Sequence, residues 1–201
     1  MPSAVRPPSA KPREPFSLWR CIAISLLTLL IIVGIVVLII WLVLRPRKVS
    51  YSIENSSIHD YNLTNNNHLN ANFKFTLRAY NPNKRVSIYY DYIEVKLFFN
   101  SQTIAFNNNV EPFYQPHRNV THMNVLLPVN DVALYGDIAR DFKTQRSGGD
   151  VEVEMKIRAK IRFKVGAWKS SHRKVKILCT PRVNFSNSRK NSKSFSCDVD
   201  I

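Results

Sequence analysis

Two patterns of apolar residues divide this chain. The first is continuous. From Cys21 to Leu44 run 24 residues without a charge, CIAISLLTLLIIVGIVVLIIWLVL. A helix rising about 1.5 Å per residue carries such a run across the roughly 30 Å core of a bilayer with some tilt. Trp19 and Trp41 fall near its two ends, where indoles favour the membrane interface. The run is longer than the apolar region of a cleaved signal peptide, and it exits into Arg45-Pro46-Arg47-Lys48 with no small-residue cleavage site. It reads as an uncleaved signal-anchor helix over 21–44. Residues 1–20 hold five prolines and are otherwise polar and basic, which predicts a disordered stub. Gly34 is the only glycine in the span, so the G-x-x-x-G helix-pairing pattern is absent from it.

The second pattern alternates. Phe73, Phe75, Leu77 and Ala79 share one face of a strand, and Lys74, Thr76, Arg78 and Tyr80 share the other. Asn81-Pro82-Asn83 stops it with turn chemistry. Val86, Ile88 and Tyr90 then point inward, but by Ile93, Val95, Leu97 and Phe99 the apolar parity has moved from even to odd. A one-residue shift requires a bulge, placed at Tyr90-Asp91-Tyr92. Further strands are predicted near Thr103–Asn107, Val120–Leu127, Val151–Val165 and Val175–Val183. Asp131–Lys143 differs: Val132, Leu134, Tyr135, Ile138 and Phe142 have helical spacing, Asn130 is the expected cap, and Gly148-Gly149 close the connection. Residues 45–201 therefore read as one mainly β domain, an antiparallel sandwich with one short helix.

Compartment follows from cysteine and asparagine, because basic residues flank the span on both sides and the positive-inside rule is undecided. Cys179 and Cys197 are the two cysteines beyond the span, which points to a disulfide if the domain lies outside the cytosol and to two separate thiols otherwise. Sequons stand at Asn55, Asn62, Asn119 and Asn184, all after the span. Together they favour a cytosolic N-terminus and an external C-terminal domain. Cys21, at the expected cytosolic edge, is a candidate palmitoylation site.

The sequence offers little chemistry of catalysis. It has no dinucleotide-binding or Walker loop, no nucleophile elbow and no H-E-x-x-H. Histidines 59, 68, 117, 122 and 172 do not have metal-ligand spacing. No enzyme activity and no cofactor are expected. The formal net charge is +15. Lys156, Arg158, Lys160, Arg162 and Lys164 alternate with Ile157, Ala159, Ile161, Phe163 and Val165, so five cations line one sheet face at roughly 7 Å intervals. That stripe reads either as a solvated outer face or as a patch for an anionic surface. Nucleic acid is not an expected partner, because the span and the sequons place the patch outside the cell.

The segment Asn81-Pro82-Asn83-Lys84-Arg85-Val86-Ser87-Ile88-Tyr89-Tyr90-Asp91 resembles the signature of a plant family, the non-race-specific disease resistance and harpin-induced-like proteins, whose outer domain is of the late embryogenesis abundant group-2 type. The basic stub, single span, late Trp168 and C-terminal cysteine pair match that family as well. The resemblance implies a fibronectin-III or immunoglobulin-like sandwich. It also implies the plasma membrane, with plasmodesmata in some members, a role in defence or stress, and no catalytic residues. Adhesion through an Asn-Gly-Asp motif does not carry over, since no glycine here follows an asparagine, and Cys197–Ile201 is not a hydrophobic lipid-anchor tail. The expected function is a non-enzymatic surface protein acting through protein or wall contacts, with anionic wall polysaccharide or lipid headgroups facing the stripe. The alternatives are a structural tether and a module binding lipid or a small apolar ligand.

Overall fold

The computed structural model describes residues 18–44, 47–185 and 194–200, and the chain divides between Arg45 and Pro46 into two compact units. The first holds α1 (Leu18–Leu44). Leu18, Trp19 and Arg20 are therefore helical, where the sequence pattern assigned them to the stub; residues 1–17 lie outside the described residues. Within α1, Trp19–Ile39 is long and apolar enough to cross a membrane. Within it Thr28 Oγ1 donates to the Ile24 carbonyl at 2.8 Å, so this hydroxyl is satisfied inside the helix.

The second unit is a β-sandwich. Its elements are β1 (Ser50–Leu63), β2 (His68–Tyr80), β3 (Ser87–Phe99), β4 (Gln102–Asn107), β5 (Phe113–Gln115) and β6 (Val120–Ala133). Then come α2 (Gly136–Ser147), β7 (Asp150–Glu152), β8 (Glu154–Val165), β9 (Trp168–Lys169) and β10 (Arg173–Cys179). The chain closes with β11 (Arg182–Asn184), β12 (Phe195–Ser196) and β13 (Asp198–Asp200). One sheet runs β6-β2-β1-β11-β7 with β12 on β1; the other runs β13-β10-β8-β3-β4 with β5 on β3 and β9 on β8. Among the described residues pairing is antiparallel except for one parallel bridge, Ser57 to Asn184.

Alternation builds the core as expected. Phe73, Phe75, Leu77 and Ala79 of β2 are buried against Ile88, Tyr90, Ile93, Val95 and Leu97 of β3 and their neighbours. The register between β3 and β8 slips between Tyr90 and Tyr92. The parity switch in the sequence is thus a bulge at Asp91.

Five expectations are corrected. The helix begins at Gly136, not Asp131, because β6 continues to Ala133 by pairing with β2 (His68 with Ala133, Leu69 with Val132). Asn130 therefore caps nothing; the residue before the helix is Tyr135, with no side-chain cap. Val132 belongs to that extension, and Leu134, just past it, donates its N–H to the Asn67 carbonyl at 2.9 Å. The segment Val151–Val165 is two strands in different sheets, β7 and β8, which part at Val153. Val175–Val183 is likewise two strands, β10 and β11, which part at Thr180-Pro181. The two crossings are joined, Val153 N donating to the Pro181 carbonyl at 3.1 Å. Val151, Val153 and Met155 stay buried throughout, so the inward parity hides the change of sheet. Finally, Phe163 and Val165 are only half-buried, since the alternation fades toward the end of β8.

A third crossing lies at the same corner. β12 pairs with β1 in one sheet and β13 with β10 in the other, with Cys197 between them. The structure joins Cys197 to Cys179, the last residue of β10, and Cys197 N donates to the Tyr51 carbonyl at 3.0 Å. Their separation of 18 residues corresponds to roughly 3 kcal/mol of stabilisation in the chain-entropy account. Replacing both cysteines by serine is expected to lower stability by about that amount. It should also strip hydrogen-exchange protection from β12 and β13 before β2. Unchanged protection across 195–200 would show that the strands, not the bond, hold this segment.

Candidate functional site

The segment 81–91 turns a corner of the sandwich and closes it with amides. Asn81 is fully buried. Its Nδ2 donates to the carbonyls of Val86 at 2.9 Å and Pro116 at 3.0 Å. Its Oδ1 accepts from Asn83 N at 3.1 Å and Asn83 Nδ2 at 2.9 Å. A primary amide has two donors and two lone pairs, and all four are used. Asn83, also buried, holds the chain as it enters the domain: Arg47 N donates to its Oδ1 at 2.7 Å, and its Nδ2 donates to the Arg47 carbonyl at 2.9 Å. Two backbone bonds complete the knot, Asn81 N to the Asn119 carbonyl and Arg118 N to the Asn83 carbonyl, each at 3.0 Å. Pro82 between them is half-buried and Lys84 is exposed.

Tyr90 continues this polar core inward. Its hydroxyl lies 2.6 Å from that of Tyr51 and 3.2 Å from Gln115 Oε1, and Gln115 Nε2 donates to the Ala79 carbonyl at 2.8 Å. Burial pushes the Tyr51 phenol up to about 12 and raises Tyr90 well above the usual phenol range, with Tyr51 adding to the rise. Both stay neutral at physiological pH. Asp91, left unpaired by the bulge, accepts a bidentate pair of bonds from one edge of the Arg162 guanidinium, Nε and Nη2, the Nε bond at 2.7 Å. His172 Nε2 stands 3.5 Å away. The Arg162 bond, with the nearby positive charges, holds the Asp91 carboxyl below the usual carboxylate range.

The expected cationic stripe divides in two. Lys156, Arg158 and Lys160 are exposed; Arg162 and Lys164 are half-buried. Arg162 is committed to Asp91, and Lys156 pairs with Glu154 at 2.8 Å. Aromatic rings lie under most of the stripe: Phe98 is 4.5 Å from Lys156 Nζ, Tyr92 5.5 Å from Lys160 Nζ, and Tyr114 5.8 Å from Lys164 Nζ. Tyr89 packs against Tyr114 at a tilt of 42°, ring centres 4.7 Å apart, beneath Arg162 and Lys169. What the sequence reading missed is the neighbouring strand. Lys174 stands opposite Lys160 and Lys176 opposite Arg158. These four cations, Tyr92 and one carboxylate, Glu94, line a cleft of about 260 Å³. The alternation Lys174-Val175-Lys176-Ile177 was visible in the sequence; its register with β8 was not.

The other candidates separate as well. Asn55, Asn62 and Asn119 are exposed, while Asn184 is half-buried in β11. Cys21 is an exposed thiol on α1. His68 bonds Asp131 and His122 bonds Glu54. Among the described residues no three His, Cys, Asp or Glu side chains gather in a metal-holding group.

Comparison with known proteins agrees with this reading of the signature. Residues 76–179 match the family model described as late embryogenesis abundant protein. NDR1/HIN1-like protein 3 of Arabidopsis thaliana is 34% identical over 88% of this chain and 78% of its own length. NDR1/HIN1-like protein 10 of the same plant is 32% identical over 86% and 82%. A further Arabidopsis thaliana protein, At1g08160, is 35% identical over 80% and 73%. The chain belongs to the late embryogenesis abundant family, among its NDR1/HIN1-like proteins. A solved Archaeoglobus fulgidus protein covers 67% of the chain at 13% identity with a TM-score of 0.35, too distant a likeness to carry an argument. In this NDR1/HIN1-like chain the signature residues Asn81, Asn83, Tyr90 and Asp91 act within the domain, and Lys84 and Tyr89 are left for its surface.

Two expectations follow. Asn81→Ala takes a partner from two carbonyls, Val86 and Pro116, and from two donors, Asn83 N and Asn83 Nδ2, at about 1–3 kcal/mol for each group left unsatisfied. It is expected to cost at least about 3 kcal/mol, read as a fall in thermal midpoint, where Lys84→Ala changes little. Asp91 has a folded pKa below its unfolded value of about 4. Its stabilising effect is therefore present above about pH 4 and is lost as pH falls through the folded value. A pH series of thermal midpoints should show a steeper acid loss for the wild type than for Asp91→Asn; parallel curves would remove the Asp91–Arg162 pair from the account.

Proposed function

We propose that this chain is a non-enzymatic, single-pass plasma-membrane protein of the plant defence and stress response. Its N-terminus is cytosolic, its domain is external, and it acts through protein or cell-wall contacts of that domain. Membership among the NDR1/HIN1-like proteins supports the physiological setting. The apolar helix α1 supports anchoring, and the Cys179–Cys197 bond supports an oxidising compartment.

The observation that carries the contact reading is the block of Arg158, Lys160, Lys174 and Lys176. Like charges directly opposite on paired strands destabilise a sheet, and here two such rows lie side by side. Among the described residues none of the four forms an ion pair, although Glu94 and Asp200 flank the Arg158–Lys176 row in register. Glu94, Asp200 and the Tyr92 ring beside Lys160 offset part of its repulsion, and the four cations still outnumber the two carboxylates. The block is suited to an external polyanion, such as an acidic wall polysaccharide lying across the sheet with Tyr92 at its side. Because Arg162 already serves Asp91, it is not part of this surface.

The test uses the full chain held in zwitterionic nanodiscs and passed over immobilised pectate, with a neutral glucan as control. Wild type is expected to be retained on pectate and released by salt, since the Debye length is only about 8 Å at physiological ionic strength. Reversal of all four cations to glutamate should move elution to that of the neutral control. A reversed variant retained as well as wild type would leave the block a solvated face and end the proposal.

A further inference from the structure

The charge of the domain is divided between its ends. One end consists of the segments 47–49, 80–87, 114–120 and 163–170, tied together by the bonds of Asn81 and Asn83 and by the pairing of Ser87 with Lys164. These segments carry seven Lys or Arg and no Asp or Glu. At the other end, 131–154 alone carries six Asp or Glu against three Lys or Arg. The basic end holds a cleft of about 390 Å³ lined by Lys84, Arg85, Tyr114, His117, Lys164 and Gly166. Beside it projects the β8–β9 hairpin. Val165 pairs with Trp168 across the two-residue turn Gly166-Ala167, and Gly166 takes φ +57°, a conformation that a glycine enters without strain. The turn presents Trp168, 62% exposed, with Lys169 next to it.

An exposed indole on a tight hairpin, among cations whose neighbouring carboxylate, Asp91, is already engaged by Arg162, matches the headgroup layer of a bilayer. Indoles partition to that layer, and clustered Lys and Arg are attracted to anionic lipid. The chain enters the domain at this same end, through Arg47, which follows Leu44 of α1 by three positions in sequence. Headgroups of the bilayer that α1 is suited to cross are therefore a surface within chain reach. We propose that Trp168, Lys84, Arg85 and Lys169 form a second membrane contact, which docks this end of the domain on anionic phospholipid. The site shares no residue with the Arg158–Lys176 block, so either surface can fail without the other.

The chain has three tryptophans. With Trp19→Phe and Trp41→Phe, emission reports Trp168 alone. This full-length protein is placed in vesicles of phosphatidylcholine, with or without phosphatidylglycerol, containing a lipid with a shallow nitroxide. In the anionic vesicles at low salt, Trp168 is expected to shift to the blue and to lose most of its emission to the quencher; high salt should restore it. Adding Lys84→Glu, Arg85→Glu and Lys169→Glu should abolish the quenching, with the Cys179–Cys197 bond and strand circular dichroism intact. The salt series on the unreversed protein decides the matter if the triple variant fails to fold. Water-like, unquenched emission in both vesicle types overturns the proposal. So does quenching that ignores both lipid charge and salt. Quenching lost only when soluble pectate is added in place of salt would assign this end to the polysaccharide and overturn it too.

Discussion

A single buried amide organises the domain. Asn81 fills every hydrogen-bonding position it has, and its partners lie on β2's exit, β3's approach and the loop between β5 and β6. Through Asn83 the same knot holds the chain where it enters. Buried polar networks reward complete satisfaction and punish partial satisfaction, so these segments form together or not at all. Tyr51, Tyr90 and Gln115 extend the network toward the apolar core. The opposite end is closed differently. Phe142 of α2 packs against Phe99 at 5.1 Å and stacks on Tyr61 at 6.1 Å, and the disulfide fastens the corner where strands change sheet.

The choice of neutral amides has an electrostatic consequence. Asparagine and glutamine oxygens supply the acceptors that loops of this kind often draw from carboxylates. The end closed by Asn81, Asn83 and Gln115 therefore needs no Asp or Glu to hold its shape. Its surface is free to carry one sign of charge.

Much of this was legible before any coordinates. Period-two spacing located β2, β3 and most of β8, because each has one buried face. The parity change between Tyr90 and Ile93 marked the bulge that frees Asp91 for Arg162. Where the reading failed, long-range pairing had overruled local pattern. β1 escaped notice because its inward residues switch from Ile53 to Ile58, odd to even, across a run of Asn and Ser with a register shift inside it. Val132 and Leu134 fit a helix by spacing, yet pairing with β2 keeps that stretch extended. The crossings at Val153 and Pro181 leave inward parity unbroken, so no one-dimensional pattern records them.

The cationic face failed in part for the same reason. Alternation tells which side chains share a face of one strand, but charge balance is set across strands. Asp91 and Glu94 come from β3, Lys174 and Lys176 from β10, and only register reveals which cations they neutralise or reinforce. The same holds on a larger scale. β3 has 13 residues, which at about 3.3 Å each puts roughly 40 Å between its ends. That is several times the Debye length of about 8 Å at physiological ionic strength. Carboxylates at the acidic end therefore do not cancel the field of the basic end. What an approaching surface meets depends on the end or face it approaches, and a net charge for the whole chain says little about any of them.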